Sequence, residues 1–427
     1  MWKALPGGCG LDGDVHNQPM PIDRMSAELE AHLTQLEDNG TAKGAESVVV
    51  AAHPPAGSSG PRFKLAGEGE RAFIRMNSNS YLGMSLRPDI IAAEEEAAGR
   101  FGAGPGAVRF ISGTCSPHVE LEAKLAAFHG REAGMIFSAA YATIMGTITP
   151  LVTKETVIIS DELNHNCIIN AVRLSRPLDK AIYPHLDLVS LEKQIESAKG
   201  RAKRVLVITD GIFSMRGDHA PVGEIMEIAT RHDDAFEENI VVIVDDSHGV
   251  GAFGATGRGT EEYTGSPPVD ILVGTLGKAF GINGGYVVGN RVLVRFLRES
   301  APFYIYSNPI TASEAGAALK ALEILDSEEG RALLDKLRAL TMRFETGLVD
   351  LGFEVISGEH PVVPLMVRDT DRTRALVKHL YDNGVLVTGL VFPVVPRGDE
   401  EIRCQVNADH TESDIDTVLR VLAETLA

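Results

Sequence analysis

The sequence predicts an α/β fold, with a large domain built on a mostly parallel sheet followed by a smaller α+β domain. Three observations lead there. The chain has 427 residues, more than the roughly 250–300 at which a single core stops growing, so more than one domain is expected. Four stretches, ETVIISD, RVLVITDG, NIVVIVDDSHG and VDILVGTLGK, are continuous β-branched and aliphatic runs. They are too apolar for strands with one wet face and read as parallel strands covered on both sides. Between them DLVSLEKQIESAKG and VGEIMEIATRHD carry helical spacing, as crossover helices do.

In chain order, residues 1–22 are rich in Gly and Pro without periodicity and read as a flexible or partner-dependent arm. MSAELEAHLTQLEDNG then sets Met25, Leu29, Leu33 and Leu36 on one helical face and stops at Asn39-Gly40. AAHPPAGSSGPR, residues 51–62, reads as a loop or connector. Residues 1–76 are therefore taken as arm and helix, 77–305 as the large domain and 306–427 as the small one. In the small domain two helical stretches, TASEAGAALKALEILDS and EEGRALLDKLRALTMRFETGLVDLG, precede short strands in FEVIS, PVVPLMVRD, VLVTGLVFPVV and EIRCQVNA. A last helix, ESDIDTVLRVLAETLA, closes the chain.

Composition excludes several classes. With 44% hydrophobic, 23% charged and 6% aromatic residues the chain is an ordinary globular protein. Its 59 acidic against 40 basic residues give a net charge of -19, which disfavours nucleic acid and anionic membrane surfaces as partners. Cys9, Cys115, Cys167 and Cys404 show neither metal-ligand spacing nor a disulfide framework, so no metal and a reducing, cytoplasmic setting are expected. The opening stretch has no apolar signal region, and no run is long enough to span a bilayer.

Ligands of such sheets bind beyond the carboxyl ends of the strands, which brings Asp161 to His165, Asp210 to Ser214, Asp245 to His248 and Thr275 to Lys278 to one crevice. Lys278 stands in VGTLGKAFGINGG between Gly277 and Ala279 with no acidic neighbour. Alone it reads better as a solvent-facing lysine. Asp245 ends the most apolar strand and needs a partner to stay ionised; alone it fits an ion pair or a strand-end cap equally well. Together, a buried carboxylate and a lone lysine are what a pyridine aldehyde cofactor requires: the amine binds the aldehyde, and the carboxylate keeps the ring nitrogen protonated.

NSNSYLGMSLRPDII, GAVRFISGT, HVELEAKLAAFHG, DELNHNCIINAVRLS, TDGIFSMRGDHAPV, DDSHGVGAFGATGRG, TLGKAFGINGGY, YSNPI and VLVTGLVFPVVPRGDEEIRCQVNADHT follow in order over residues 77–427. In these stretches the chain resembles the pyridoxal-5'-phosphate-dependent α-oxoamine synthase family, of fold type I, nearest its glycine C-acetyltransferase branch. The resemblance implies Lys278 as the Schiff-base lysine, Asp245 as partner of the ring nitrogen, His248 as donor to the phenolic oxygen and His165 as the ring stacked on the cofactor face. It places Ser214 near the ring and the backbone of Ala140 and Tyr141, with the Thr275 hydroxyl, on the phosphate. Ser307 would be lent to that phosphate by a neighbouring subunit, which implies a homodimer with shared active sites. Arg403 matches the arginine holding the amino-acid carboxylate and Asn79 an asparagine at the substrate end, while His118 and Arg109 match family residues to which no role is assigned. Without the motifs, His165 would be a loop-end histidine and Arg403 a surface strand arginine.

The implied reaction condenses glycine with acetyl-CoA to a 2-amino-3-ketoacid, or reverses it. Alternatives are a biosynthetic relative using another amino acid, or a longer or carrier-bound acyl thioester with decarboxylation; an aminotransferase or aldolase on the same fold; and a non-catalytic scaffold subunit. The chain departs from the family at Ile144, at the Gly-Pro-Gly of GAGPGAVRF, at Asn407 and in its long arm, where substrate specificity could be set.

Overall fold

The computed structural model describes residues 22–42 and 44–426, so the arm expected over residues 1–22, apart from Ile22, and Cys9 with it lie outside the described residues. Residues 22–48 belong to a first unit, whose helix Asp23–Asp38 ends where Asn39 and Gly40 were read as its stop. Met25, Leu29 and Leu33 are exposed along its apolar stripe.

Residues 49–426 form the second unit. Its centre is a seven-stranded sheet in the order Ala133–Phe137, Gly285–Gly289, Ile271–Thr275, Ile240–Asp245, Arg204–Asp210, Thr156–Asp161, Asp179–Tyr183. Gly285–Gly289 runs antiparallel to both neighbours and the remaining paired strands are parallel. The four apolar runs form the four strands expected of them, and they are buried nearly throughout. Helices Leu188–Ala198 and Val222–His232 make the crossovers, burying Leu191 and Ile195 in one and Ile225 and Ile228 in the other.

The expected small-domain strands form an antiparallel sheet, Glu354–Val355, Val362–Met366, Glu401–Gln405 and Thr388–Leu390, flanked by helices Glu328–Asp350 and Glu412–Ala423. Helix Thr370–Asp382 was not foreseen. Its sequence is dominated by charge, it buries only Thr373, Leu376 and Leu380, and Asp369 caps it by accepting from the Arg372 N–H.

The stretch 51–62 is not a loop throughout. Its first three residues complete strand Val49–His53, Arg62 opens strand Arg62–Leu65, and the turn is confined to 54–61. The first strand shows no alternation because it is exposed on both faces, so period-two reading finds nothing there. The third strand, Ala72–Arg75, pairs in parallel with Val385–Leu386, and Arg62 meets Asp414 of the last helix at 2.5 Å. Residues 49–76 are thereby stitched to the C-terminal part of the chain.

Arg109 takes its place in this framework as well. It is buried and holds Glu122 through two guanidinium nitrogens, at 3.0 and 3.2 Å, while Arg298 donates to the same carboxylate at 2.7 Å. Two cations around one buried acid make it a structural clasp.

Candidate active site

The carboxyl ends of the parallel strands carry the site. Asp245 is the last residue of its strand and stands in register with Asp210 on one side and Val273 on the other. Ala140, Tyr141, His165, Ser214, Asp245, His248 and Lys278 line one small cavity. Consecutive residues at a strand end point oppositely, and the Asp-Asp pair divides accordingly. Asp246 turns inward to accept from the N–H and hydroxyl of Thr260, at 2.7 and 2.6 Å, leaving Asp245 to the cavity.

Three polar atoms there lack partners among the described residues. Lys278 makes no hydrogen bond or ion pair among the described residues, the His248 Nε2 has none, and Ser247 Oγ is buried without one. Burial holds the Lys278 amine below the ordinary lysine range, although Asp245 and Asp210 oppose this. Burial next to that amine also holds His248 well below the ordinary histidine range, so the ring is neutral. His165 is lowered for the same two reasons. Asp245 receives the Ser247 N–H on Oδ1 at 3.1 Å and the Cys167 thiol on Oδ2 at 3.6 Å, with no cation in contact among the described residues.

Helix Ala140–Leu151 presents its first turn to this cavity, its N-cap Ala139 offering no side-chain cap. Uncapped N–H groups at a helix start are an anion site when a phosphate arrives. Gly285 permits the approach, because a Cβ there would lie 2.5 Å from Ala140 N and Cα. His165 caps the next helix, its Nδ1 accepting from the Cys167 N–H at 3.2 Å, and its own N–H donates to Asp210 at 2.9 Å.

Arg403 reaches the cavity rim from the small-domain sheet, donating to Ser214 O at 3.1 Å and facing Asn79 Oδ1 at 3.5 Å. It is half-buried with no carboxylate in contact. The structure does not bring every named residue to the cavity. Thr275 Oγ1 is buried between Gly284 O, to which it donates, and the Gly277 N–H, which it accepts, both at 3.1 Å. Ser307 lies in the segment after helix Pro302–Ile305, beside the exposed Tyr306, and does not line the cavity. His118 is fully buried and pins Ile310 O at 2.8 Å. Ile144 faces away, packed in the core with Phe137, Met145 and Ile148, so it removes no polar contact from the cavity.

Residues the motifs did not single out complete the wall. Asp210 was placed at the crevice by its strand end but given no role; burial, reinforced by Asp245, raises its carboxyl well above the usual range. Cys167 was noted only as a scattered cysteine. Among the described residues no cluster of acids, histidines or cysteines could hold a metal, and no helix is long and apolar enough to cross a membrane.

His185 bridges Asp161 at 3.0 Å and Asp218 at 3.2 Å. Burial opposes its charge, but the two carboxylates overcome that and raise its pKa to about 9. A pKa raised above the unfolded value of about 6.5 stabilises fully below that pH and is lost as pH rises through about 9. The unfolding free energy should therefore fall by about 1–2 kcal/mol between those limits, allowing for solvent screening. Denaturant titrations across the range should show this fall flattened in His185→Gln.

These features fit pyridoxal 5'-phosphate: an unpaired amine for its aldehyde, an acid without a cation for its ring nitrogen, a histidine for its phenolic oxygen and an open helix start for its phosphate. The sequence matches the model of aminotransferase class I and II over residues 71–422. Mitochondrial 2-amino-3-ketobutyrate coenzyme A ligase of Bos taurus is 38% identical, over 93% of this chain and 91% of its own length. The 8-amino-7-oxononanoate synthase of Bacillus pumilus (strain SAFR-032) is 39% identical, over 83% and 88%. A high-resolution structure of SPT with PLP superposes with a TM-score of 0.84 and 27% identity, covering 95% of this chain and 98% of that one. The chain belongs to the aminotransferase class I and II family, among its pyridoxal-phosphate-dependent α-oxoamine synthases.

Proposed function

We propose that the protein condenses glycine with acetyl-CoA to 2-amino-3-ketobutyrate, or runs that reaction in reverse. The observation that supports 2-amino-3-ketobutyrate is the 38% identity, over 93% of this chain, to mitochondrial 2-amino-3-ketobutyrate coenzyme A ligase. When bound, pyridoxal phosphate supplies an electron sink for that carbon. Arg403 takes the amino-acid carboxylate in a two-pronged contact. Lys278 Nζ, its pKa lowered by burial, would accept the α-proton. Asp245 would hold the proton on the ring nitrogen, and His248 Nε2 would donate to the phenolic oxygen. The new carbon-carbon bond forms at the thioester carbonyl as its carbon-sulfur bond breaks, and the sulfur leaves as coenzyme A.

A second reading, decarboxylative condensation of another amino acid with a longer or carrier-bound thioester, is supported by the 8-amino-7-oxononanoate synthases at 36–39% identity. Free thiol and carbon dioxide released from paired amino acids and acyl thioesters separate the two. Thiol released from glycine and acetyl-CoA supports the first. Carbon dioxide with a different pair replaces it by the second. We also place Ser307 at the cavity of a second copy in a homodimer, which its position outside its own cavity supports.

A further inference from the structure

His248 is held from two sides. His360 Nδ1 accepts from the Val362 N–H at 3.2 Å, so its Nε2–H is free to donate to the backbone carbonyl of His248, 2.9 Å away. On the ring itself, Nδ1 lies 2.7 Å from the hydroxyl of Tyr81, a side chain with no solvent exposure. A neutral imidazole carries one proton, and its other nitrogen's partner decides which nitrogen that is.

The Tyr81 hydroxyl has two acceptors in reach, His248 Nδ1 at 2.7 Å and Asn79 Oδ1 at 3.4 Å. The asparagine oxygen is also faced by Arg403 Nη2 at 3.5 Å. Were Nδ1 protonated and donating, the buried phenol hydrogen would be left with only the long contact to a shared oxygen. The arrangement that satisfies both groups has the phenol donating to Nδ1, which leaves the single ring proton on Nε2. Nε2 is the nitrogen without a partner, on a residue that lines the cavity.

We propose that Tyr81 is a positioning residue: it fixes His248 in the tautomer whose Nε2–H points to the cavity as a donor, so the pocket is built to receive an anionic oxygen there. The proposal rests on the reading of the cavity as the cofactor site for its consequence, but the tautomer itself is a property of the chain alone. Partners that orient a metal-ligating histidine are worth about a factor of 10–100, and Tyr81 is expected to act on His248 on the lower part of that scale.

The test has two parts. In the full-length protein labelled with 15N-histidine and free of cofactor, the nitrogen spectrum of His248, assigned by comparison with His248→Asn, should show an unprotonated Nδ1 and a protonated Nε2. The reverse pattern overturns the proposal with no variant at Tyr81 and without reference to any activity. In the holoprotein, Tyr81→Phe should weaken pyridoxal phosphate binding about tenfold and shift the visible absorption of the bound cofactor. In a double-mutant cycle, Tyr81→Phe should then add nothing to the loss already caused by His248→Asn. Equal losses from Tyr81→Phe in both backgrounds would assign Tyr81 to packing alone and overturn the proposal. Failure of the glycine and acetyl-CoA assay leaves both measurements standing.

Discussion

Lys278→Ala is expected to abolish covalent attachment of the cofactor and to lower turnover by at least about 10⁴-fold, because one amine serves as both attachment point and base. Proton transfer by a positioned group alone contributes about 10²–10⁴, and attachment is lost in addition. Among the described residues that line the cavity, Lys278 is the only amine. Burial keeps it below the ordinary lysine range, a shift that favours the nucleophilic free amine. The fold should persist, since the side chain makes no hydrogen bond or ion pair. Borohydride reduction followed by peptide mass analysis checks the assignment. Cofactor mass on the Lys278 peptide of the parent protein, absent from the variant, is the expected result; cofactor mass retained on another lysine, or an unchanged visible spectrum, would sink it.

Asp245→Asn should move activity and stability in opposite directions. Without the charge the ring nitrogen loses its proton-holding partner, and turnover should fall about 10²–10³-fold, the scale of losing one preorganised electrostatic contact. In the cofactor-free protein the same change separates two like groups. Asp210 and Asp245 stand directly opposite each other on adjacent strands, and such pairs are destabilising by roughly 0.2–1 kcal/mol. The Asp210 carboxyl, raised first by burial and then by Asp245, should ionise more readily, and urea unfolding of the cofactor-free variant should show a gain of that order. A cofactor-free variant less stable than the parent would mean that the Ser247 and Cys167 contacts to Asp245 outweigh the repulsion. The site would then be stable without its cofactor rather than strained by its absence, which is the usual trade between function and stability reversed.

The sequence alone determined the sheet and the chemistry at its edge. Continuous apolar runs can only be strands buried on both faces, burial on both faces requires crossover helices, and the polar residues ending those runs must meet at the carboxyl ends. Lys278, Asp245, His248 and His165 share one cavity for that reason. The strands around residues 49–75 were not legible, because Val49–His53 is exposed on both faces and leaves no alternation, and Ala72–Arg75 finds a partner, Val385–Leu386, more than 300 residues away. Helix Thr370–Asp382 was hidden by its charge. The tertiary structure alone decided how each polar group is spent: Thr275 holds its own turn, Arg109 clasps Glu122, His118 pins a carbonyl, and Tyr81, apolar by position, places its hydroxyl on the histidine of the site. Residue type announces what a side chain is able to do, but a hydrogen bond is a matter of ångströms, and those are set only when distant segments pack.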